Sequence, residues 1–245
     1  MSDPTSPPAP GEATGTRPLL IVNADDYGLT EGVSEAVLDA HRRGVVTSTS
    51  VLALSPAFAT TAGWLADAPD LGCGAHLAAV GEDPPLLSAR EVPTLVDRRG
   101  RLCPSWRAFL PRMAAGRIDP DDLRRESTAQ FDAITGAGVA VDHLDTHQNL
   151  HLWPTVAEVV VDLGESRGVT VVRVTRSAER GPVGRTVRRL AERLERRLVA
   201  RGWRFAEAST GLDEAGHLDL PAMVAALSRL ARAPGHTAEL ATHPG

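Results

Sequence analysis

A chain of 245 residues, 42% of them hydrophobic, is long enough to form one large domain with a substantial core. Its net charge of −5 argues against a nucleic-acid-binding surface, and its apolar runs are too short for a transmembrane helix. The two cysteines, Cys73 and Cys103, form no CxxC pair, which excludes a disulfide framework and a thiolate zinc site and favours a reducing, cytoplasmic location.

The first 18 residues, MSDPTSPPAPGEATGTRP, are rich in proline, serine, threonine and glycine. This composition predicts a disordered tail rather than a signal peptide or a membrane span. After it, short apolar runs alternate with helical patterns. Strands are predicted at residues 19–26, 45–53, 71–78, 139–147, 169–175, 203–208 and 237–243. Helices are predicted at residues 30–43, 56–68, 105–115, 120–135, 155–167, 185–200 and 220–233.

Seven strands that alternate with helices predict a parallel sheet with helices on its faces. Either a closed or nearly closed barrel or an open doubly wound sheet fits this order. The sequence has no GxGxxG after the first strand and no GxxxxGK[ST], which weakens the nucleotide-binding forms of the open sheet. The irregular stretch of residues 79–104 is long enough to be a functional loop or a lid. The arginines of residues 184–204 alternate with Glu and Leu at helical spacing, which is typical of a solvated helix face.

Polar side chains gather where the predicted strands end. In the segment VDHLDTH, His143, Asp145 and His147 occupy alternate positions and therefore share one face of a strand. The other strand ends add Asn23, Asp25, Asp26, His76 and His243. Because several buried ionisable groups are costly without compensation, a divalent cation held by one carboxylate and two imidazoles is the economical explanation.

Four segments resemble those of the YdjC-like carbohydrate deacetylases, a family of chitooligosaccharide and hopanoid-associated deacetylases. They are LLIVNADDYGLTEGVSEAVLDAHRRGVVTSTSVLA, GCGAHL, HLDTHQNLH and ELATHPG, and the resemblance extends over residues 18–245. It implies a distorted TIM-like (β/α) barrel of about seven parallel strands that hydrolyses the N-acetyl group of an amino sugar. It also implies one domain over residues 19–245, without the segment that usually follows HPG in the family.

The resemblance also assigns roles by motif position. Asp26, His76 and His147 match the metal ligands, with Mg²⁺ as the expected ion and Zn²⁺ as the alternative. Asp25 matches the catalytic base, and His243 stands where the family has an active-site histidine, a candidate general acid. A bound divalent ion acidifies water and polarises an amide carbonyl, so this set suits deacetylation. The residues expected to support the ligands or to contact substrate are His143, Asp145, His151 and Arg173.

Two other functions remain open at this point. The His143-x-Asp145 pair plus a distant histidine also matches a non-haem iron oxygenase, although that arrangement normally lies on antiparallel strands. A catalytically impaired sugar-binding barrel is the second alternative. The expected partner is an N-acetylated sugar, with no nucleic acid and no membrane, and a homodimer is left open.

Overall fold

The computed structural model describes residues 19–244, so the tail predicted at residues 1–18 lies outside the described part. Within that part, six strands form one parallel sheet in the order β4-β3-β2-β1-β6-β5. The sheet curls into a half-barrel, which confirms the predicted α/β class. The strands are β1 (Leu19–Tyr27), β2 (Ser48–Val51), β3 (Gly72–Leu77), β4 (Val141–Thr146), β5 (Ala208–Thr210) and β6 (Thr237–Thr242).

Seven α-helices accompany these strands in the described residues. They are α1 (Glu31–Arg43), α2 (Phe58–Thr61), α3 (Trp106–Ala114), α4 (Pro120–Gly136), α5 (Pro154–Arg167), α6 (Pro182–Ala200) and α7 (Leu220–Leu230). Capping residues define several starts: the Thr30 side chain accepts a hydrogen bond from Val33 N, and the Asp219 side chain accepts one from Ala222 N. Gly168, in the left-handed conformation, ends α5. None of these helices is long and apolar enough to cross a membrane.

The predicted strand at residues 169–175 differs from expectation. It forms isolated parallel bridges, Val172 to Leu144 and Val171 to Arg204, and no continuous strand. The reason is the short run of ladder bonds: residues 170–173 exchange hydrogen bonds with Leu144 and Arg204, and the pairing then stops. Residues 19–244 therefore contain six strands where about seven were predicted. The helix predicted at residues 56–68 is likewise divided into α2 and a 3-10 helix at Ala62–Asp67.

The long segment of residues 79–104 is fastened to α4. Glu126 accepts hydrogen bonds from the backbone N–H groups of Leu86 and Leu87, and Asp122 accepts from Thr94 N and its hydroxyl. Gln130 pairs with both the N–H and the C=O of Ala78. The hydrogen bonds of Gln130 satisfy the buried backbone groups of Ala78, and those of Glu126 and Asp122 hold partly exposed backbone of the segment. The segment is thus a packed part of the fold.

Candidate metal centre and cleft

Three potential metal ligands come together at the carboxyl ends of the strands. Asp26 lies near the end of β1, His76 lies on β3, and His147 is the first residue after β4. Asp26 Oδ1 lies 3.4 Å from His76 Nε2 and 3.2 Å from His147 Nδ1, and the two histidine nitrogens are 3.4 Å apart. All three ligand atoms lie within 4.8 Å of one another, so a single ion could contact all of them.

The backbone around these ligands adopts uncommon conformations. Asp26 has φ +65°, and the two residues after His147, Gln148 and Asn149, have φ +55° and +54°. For residues other than glycine, this left-handed region costs about 1–2 kcal/mol each. In this structure it occurs at one candidate ligand, Asp26, and in the turn directly after another, His147. Strained backbone of this kind occurs often at functional sites.

Asp145 fixes the orientation of His76. Its Oδ1 lies 2.8 Å from His76 Nδ1, which leaves His76 Nε2 facing Asp26. Burial alone would lower the pKa of His76, but the charges of Asp145 and Asp26 outweigh burial and raise it well above its ordinary value. A carboxylate that holds the far nitrogen of a ligating imidazole is the usual support of a metal-binding histidine.

The two neighbouring histidines also lower the pKa of the Asp26 carboxyl. Burial by itself raises the pKa of the Asp26 carboxyl, but hydrogen bonds from His147 and His76 outweigh that effect and hold the pKa well below its ordinary range. Asp26 is therefore ionised, as a metal-binding carboxylate must be.

Arg173 links three strands beneath these ligands. Its guanidinium donates to both oxygens of Asp25 at 2.7 and 2.8 Å, lies 2.8 Å from Asp145 Oδ2 and donates to Glu239 Oε1 at 2.7 Å. Its side chain is only 3% exposed. Three carboxylates thus contact the guanidinium, and Asp26, which contacts His76 and His147, is a fourth carboxylate in the site. This excess of negative charge favours a bound cation.

A cleft of about 540 Å³ opens above the cluster. Asp25 and His76 lie at its base, and His243 lies on its wall with Nε2 3.8 Å from Asp25 Oδ2. The His243 side chain is 45% exposed, so it is accessible to a molecule in the cleft. Trp106 also lines the cleft, and the guanidinium of Arg107 lies 4.5 Å from the centre of its ring system.

Known proteins resemble this chain in sequence and in fold. A family model described as YdjC-like protein matches residues 19–245. The chain belongs to the YdjC-like family. Carbohydrate deacetylase 1 of Listeria innocua is 38% identical over 154 residues, which cover 63% of this chain and 60% of that protein. The carbohydrate deacetylase of Brevibacillus brevis is 33% identical over 152 residues, or 62% of this chain and 58% of that one. The chain thus spans about 60% of the length of the curated relatives it matches.

A solved structure extends the likeness to the fold. A proposed cellobiose-phosphate cleavage protein from Enterococcus faecalis V583 superimposes with a TM-score of 0.77 at 25% identity. The match covers 94% of this chain and 82% of that chain. The family model over residues 19–245 confirms the membership of the YdjC-like family that four sequence segments predicted.

In this YdjC-like chain, both predicted supporting histidines lie outside the ligand cluster. His143 Nδ1 contacts Asp142 Oδ1 at 2.5 Å, and its ring occupies the space beside Gly74, where a Cβ would lie 2.2 Å from His143 Nε2. It lines a second cavity of about 510 Å³ at the amino-terminal ends of the strands. His151 is buried, and its Nδ1 lies 2.8 Å from the Thr146 hydroxyl. Burial lowers the pKa of His151 to about 4.

Sequence reasoning missed two members of the site. The Ser50 hydroxyl donates to Asp145 Oδ2 at 2.8 Å, and Glu239 pairs with Arg173. The signal for Glu239 was its alternation with His243 along TAELATH, which places both on one face of a strand. Ser50 had only the weak signal of a hydroxyl residue in the run TSTS of a predicted strand, where a buried hydroxyl usually requires a partner.

Proposed function

We propose that this protein is a divalent-metal-dependent hydrolase that removes the N-acetyl group from an amino sugar or oligosaccharide. The observation that carries the proposal is the convergence of Asp26, His76 and His147 beside Asp25, at the base of an open cleft. Its curated relatives, which bear the name carbohydrate deacetylase, support the reaction type. A cleft at the carboxyl ends of parallel strands is also where α/β folds of this kind bind their substrates.

The donor set fits a small divalent cation. One carboxylate oxygen and two imidazole nitrogens would hold the ion and leave further positions for water and substrate. Mg²⁺ is the ion we propose first, and Zn²⁺ is the alternative because it accepts two imidazoles readily. When bound, such an ion lowers the pKa of water and polarises the acetyl carbonyl.

The remaining residues would handle protons and orientation. Asp25 would accept the proton of the attacking water at a carboxylate oxygen, while Arg173 and Asn23 hold that carboxylate in place. His243, exposed in the cleft wall, would donate a proton to the nitrogen of the departing amine. Arg173 also keeps Asp145 in contact with His76, so one guanidinium positions both the base and the support of a ligand.

The oxygenase alternative finds less support. Within residues 19–244, the group of three His or acidic side chains close enough to share an ion is Asp26, His76 and His147. His143 contacts Asp142 instead, and Asp145 contacts His76, Ser50 and Arg173. The H-x-D pair that motivated the oxygenase is thus engaged elsewhere.

An Asp25→Asn variant tests the proposal. Acetate release should first be found for the parent in a screen of N-acetylated sugars, with metal content measured by elemental analysis. The variant should keep its metal and lose turnover by about 100- to 10,000-fold, because an amide cannot accept the water's proton. Asp39→Asn, on the exposed face of α1, is the matched control and should remain fully active. Near-parental turnover by a metal-loaded Asp25→Asn protein would remove Asp25 from the mechanism, and a parent without acetate release would favour the sugar-binding alternative.

A further inference from the structure

A second cavity lies inside the curl of the sheet, on the amino-terminal side of the candidate metal centre. Its volume is about 510 Å³, and residues of the strands and of the segments that continue the sheet line it. In parallel barrels, large branched side chains normally fill this space. Here three of the lining positions hold the small residues Ser48, Gly72 and Ala206, which leave it open. We name this space the amino-end cavity.

One buried hydrogen-bond acceptor faces the amino-end cavity alone. Asn23 is 1% exposed and lines this cavity but not the catalytic cleft. Its Nδ2 donates to Asp25 Oδ1 at 2.7 Å and to Ser50 Oγ at 2.9 Å, so both amide hydrogens are engaged. Within residues 19–244, Asn23 Oδ1 has no hydrogen-bond partner, and protein atoms do not enclose it. The amide therefore directs an unused acceptor into the cavity.

A carboxylate lies in the wall between the amino-end cavity and the cleft. Glu239 is 6% exposed and lines both spaces. Its Oε1 accepts from Arg173 Nε at 2.7 Å, while its Oε2 has no hydrogen-bond partner in the described part of the chain. Glu239 pairs with Ile21 across β6 and β1, so it is a diagonal neighbour of Asn23 on the inner face of the sheet. Buried acceptors without partners are uncommon in proteins, and two of them side by side indicate a ligand that donates hydrogen bonds.

The other polar side chains of the cavity do not favour a ligand of either charge. They are Thr47, Ser48, Thr237, Asp142, His143 and Arg204. The hydroxyl groups can both donate and accept. His143 contacts Asp142, whose side chain is 59% exposed, and Arg204 is an exposed cation lining the same cavity. Two exposed groups of opposite charge thus offset each other.

The buried charges decide the sign of the ligand. Arg173 also borders the cavity, but three carboxylates contact its guanidinium and offset its charge. An anion would face Glu239 Oε2 and Asn23 Oδ1, which are both acceptors, and would be repelled by the first. An ammonium group carries three donors and a positive charge, so it can satisfy both acceptors with charge-assisted hydrogen bonds.

The rest of the cavity wall suits a carbon skeleton. Its apolar residues are Ile21, Val171, Val172 and Phe205. We propose that the amino-end cavity binds a small primary amine in its protonated form, with the ammonium group at Asn23 and Glu239. This second ligand site is separate from the proposed deacetylation and does not depend on it.

Three probes of equal size and different charge test the proposal. Benzylammonium, benzyl alcohol and benzoate are titrated into the protein by calorimetry at pH 7, with excess Mg²⁺ present. Benzylammonium should bind at least about tenfold more tightly than benzyl alcohol, because a hydrogen bond to a charged group contributes about ten- to hundredfold in affinity. Benzoate should bind most weakly. Equal or tighter binding of the alcohol or of benzoate, or no binding of benzylammonium at millimolar concentration, would overturn the proposal.

Substitutions in the cavity wall locate the bound amine. Glu239→Gln keeps the shape of the side chain and removes its charge, so it should weaken benzylammonium by at least about tenfold and change benzyl alcohol far less. Val171→Phe and Ala206→Leu fill the cavity and should weaken both compounds. Val45→Phe, 73% exposed and outside the cavity, is the matched control and should change neither. If Glu239→Gln fails to fold because Arg173 loses a partner, the two filling variants still decide the matter.

The catalytic cleft is the other place where an amine could bind, since Asp25 and Glu239 also line it. Ala215 is exposed and lines the cleft but not the amino-end cavity, so Ala215→Trp fills the cleft alone. This variant should bind benzylammonium like the parent. Amine binding that is lost in Ala215→Trp, or that persists in folded Val171→Phe and Ala206→Leu, would overturn the proposal. Acetate release plays no part in these measurements, so the deacetylase proposal and this one can fail independently.

Discussion

The inner side of the curled sheet has a histidine near each end of β4, and the two ends differ in what surrounds them. At the carboxyl end, His147 faces Asp26 and His76, and His76 is held on its other side by Asp145. At the amino end, His143 contacts Asp142, whose side chain is 59% exposed, and packs beside Gly74. Both ends border a cavity of similar volume. The carboxyl end therefore has the converging side chains that a metal site would need, and the amino end has a histidine and a cavity without them.

Removing each histidine in turn tests this difference between the two ends of β4 most directly. His147→Ala should weaken binding of Mg²⁺, Mn²⁺, Co²⁺ and Zn²⁺ by at least about 100-fold. The substitution removes a proposed ligand, and loss of a residue that only supports a ligand already lowers metal affinity by about 10- to 100-fold. His143→Ala is the matched variant and should bind metal within about threefold of the parent. Calorimetric titration measures both. Parental metal affinity in His147→Ala, or a large loss in His143→Ala, would reverse the contrast between the two ends.

The crowding at the amino end can be tested by a double-mutant cycle. A Cβ at position 74 would lie 2.2 Å from His143 Nε2, so Gly74→Ala should cost up to about 3 kcal/mol of unfolding free energy. In a His143→Ala background the same substitution should cost far less, since the ring is gone. Denaturant unfolding of the four proteins gives the coupling. An equal cost in both backgrounds would mean that the His143 ring does not occupy this space.

The low pKa of buried His151 should make the stability of the fold depend on pH. Its pKa falls from 6.5 in the unfolded chain to about 4 in the fold, so between these values the unfolded state binds more protons. Stability from neutral His151 is therefore complete above pH 6.5 and is lost as pH falls toward 4. Between pH 7 and 5 this group alone should remove about 2 kcal/mol.

The variant that checks this is His151→Gln, which does not titrate. Its unfolding free energy should fall less steeply between pH 7 and 5 than that of the parent, by about 2 kcal/mol. His217→Gln, at an exposed position, reports the effect of removing any histidine. Identical slopes in the parent and in His151→Gln would show that His151 is not held neutral in the fold.

The smallest expected effect concerns the turn that follows His147. Asn149 has φ +54°, a conformation that glycine adopts freely and alanine does not. Both Asn149→Ala and Asn149→Gly lose the hydrogen bond from Thr175, so the difference between them isolates the backbone. Asn149→Ala should be the less stable by about 1 kcal/mol. Thermal unfolding of the pair measures this difference, and the opposite order would mean that the turn relaxes to an ordinary helix.

The sequence predicted some helices and strands of the structure and not others. The helix at α1 was predictable because Thr30, the apolar spacing and Gly44 are local signals. The strands β1, β3, β4 and β6 were predictable because apolar runs between helices indicate a parallel sheet. The segment at residues 169–175 looked the same, yet pairs only at Val171 and Val172, because pairing depends on distant neighbours that a local pattern does not contain.

The sequence predicted only some features of the candidate site, again because a local pattern does not contain contacts with distant residues. Alternation in VDHLDTH correctly placed His143 and Asp145 on a common side, but alternation ends at Thr146, and two left-handed residues determine the direction of the chain after His147. Alternation contains no measure of distance along that side, so it did not separate His143 from His147; only the family resemblance assigned His147 alone as a metal ligand. The contacts of Arg173 with Asp25 and Glu239 join residues 148 and 66 positions apart, which only the folded chain brings together.

The central position of β1 has a consequence for how the chain reaches its folded state. β1 lies between β2, which follows it closely in the sequence, and β6, which begins more than 200 residues later. Contacts of such high sequence separation slow folding, since a long loop must close before they form. During synthesis, one edge of β1 stays unpaired until nearly all of residues 19–242 have left the ribosome, and Arg173 lacks Glu239 for just as long. We therefore expect refolding to be slow and prone to aggregation, and Glu239→Gln to alter the last kinetic phase rather than the first.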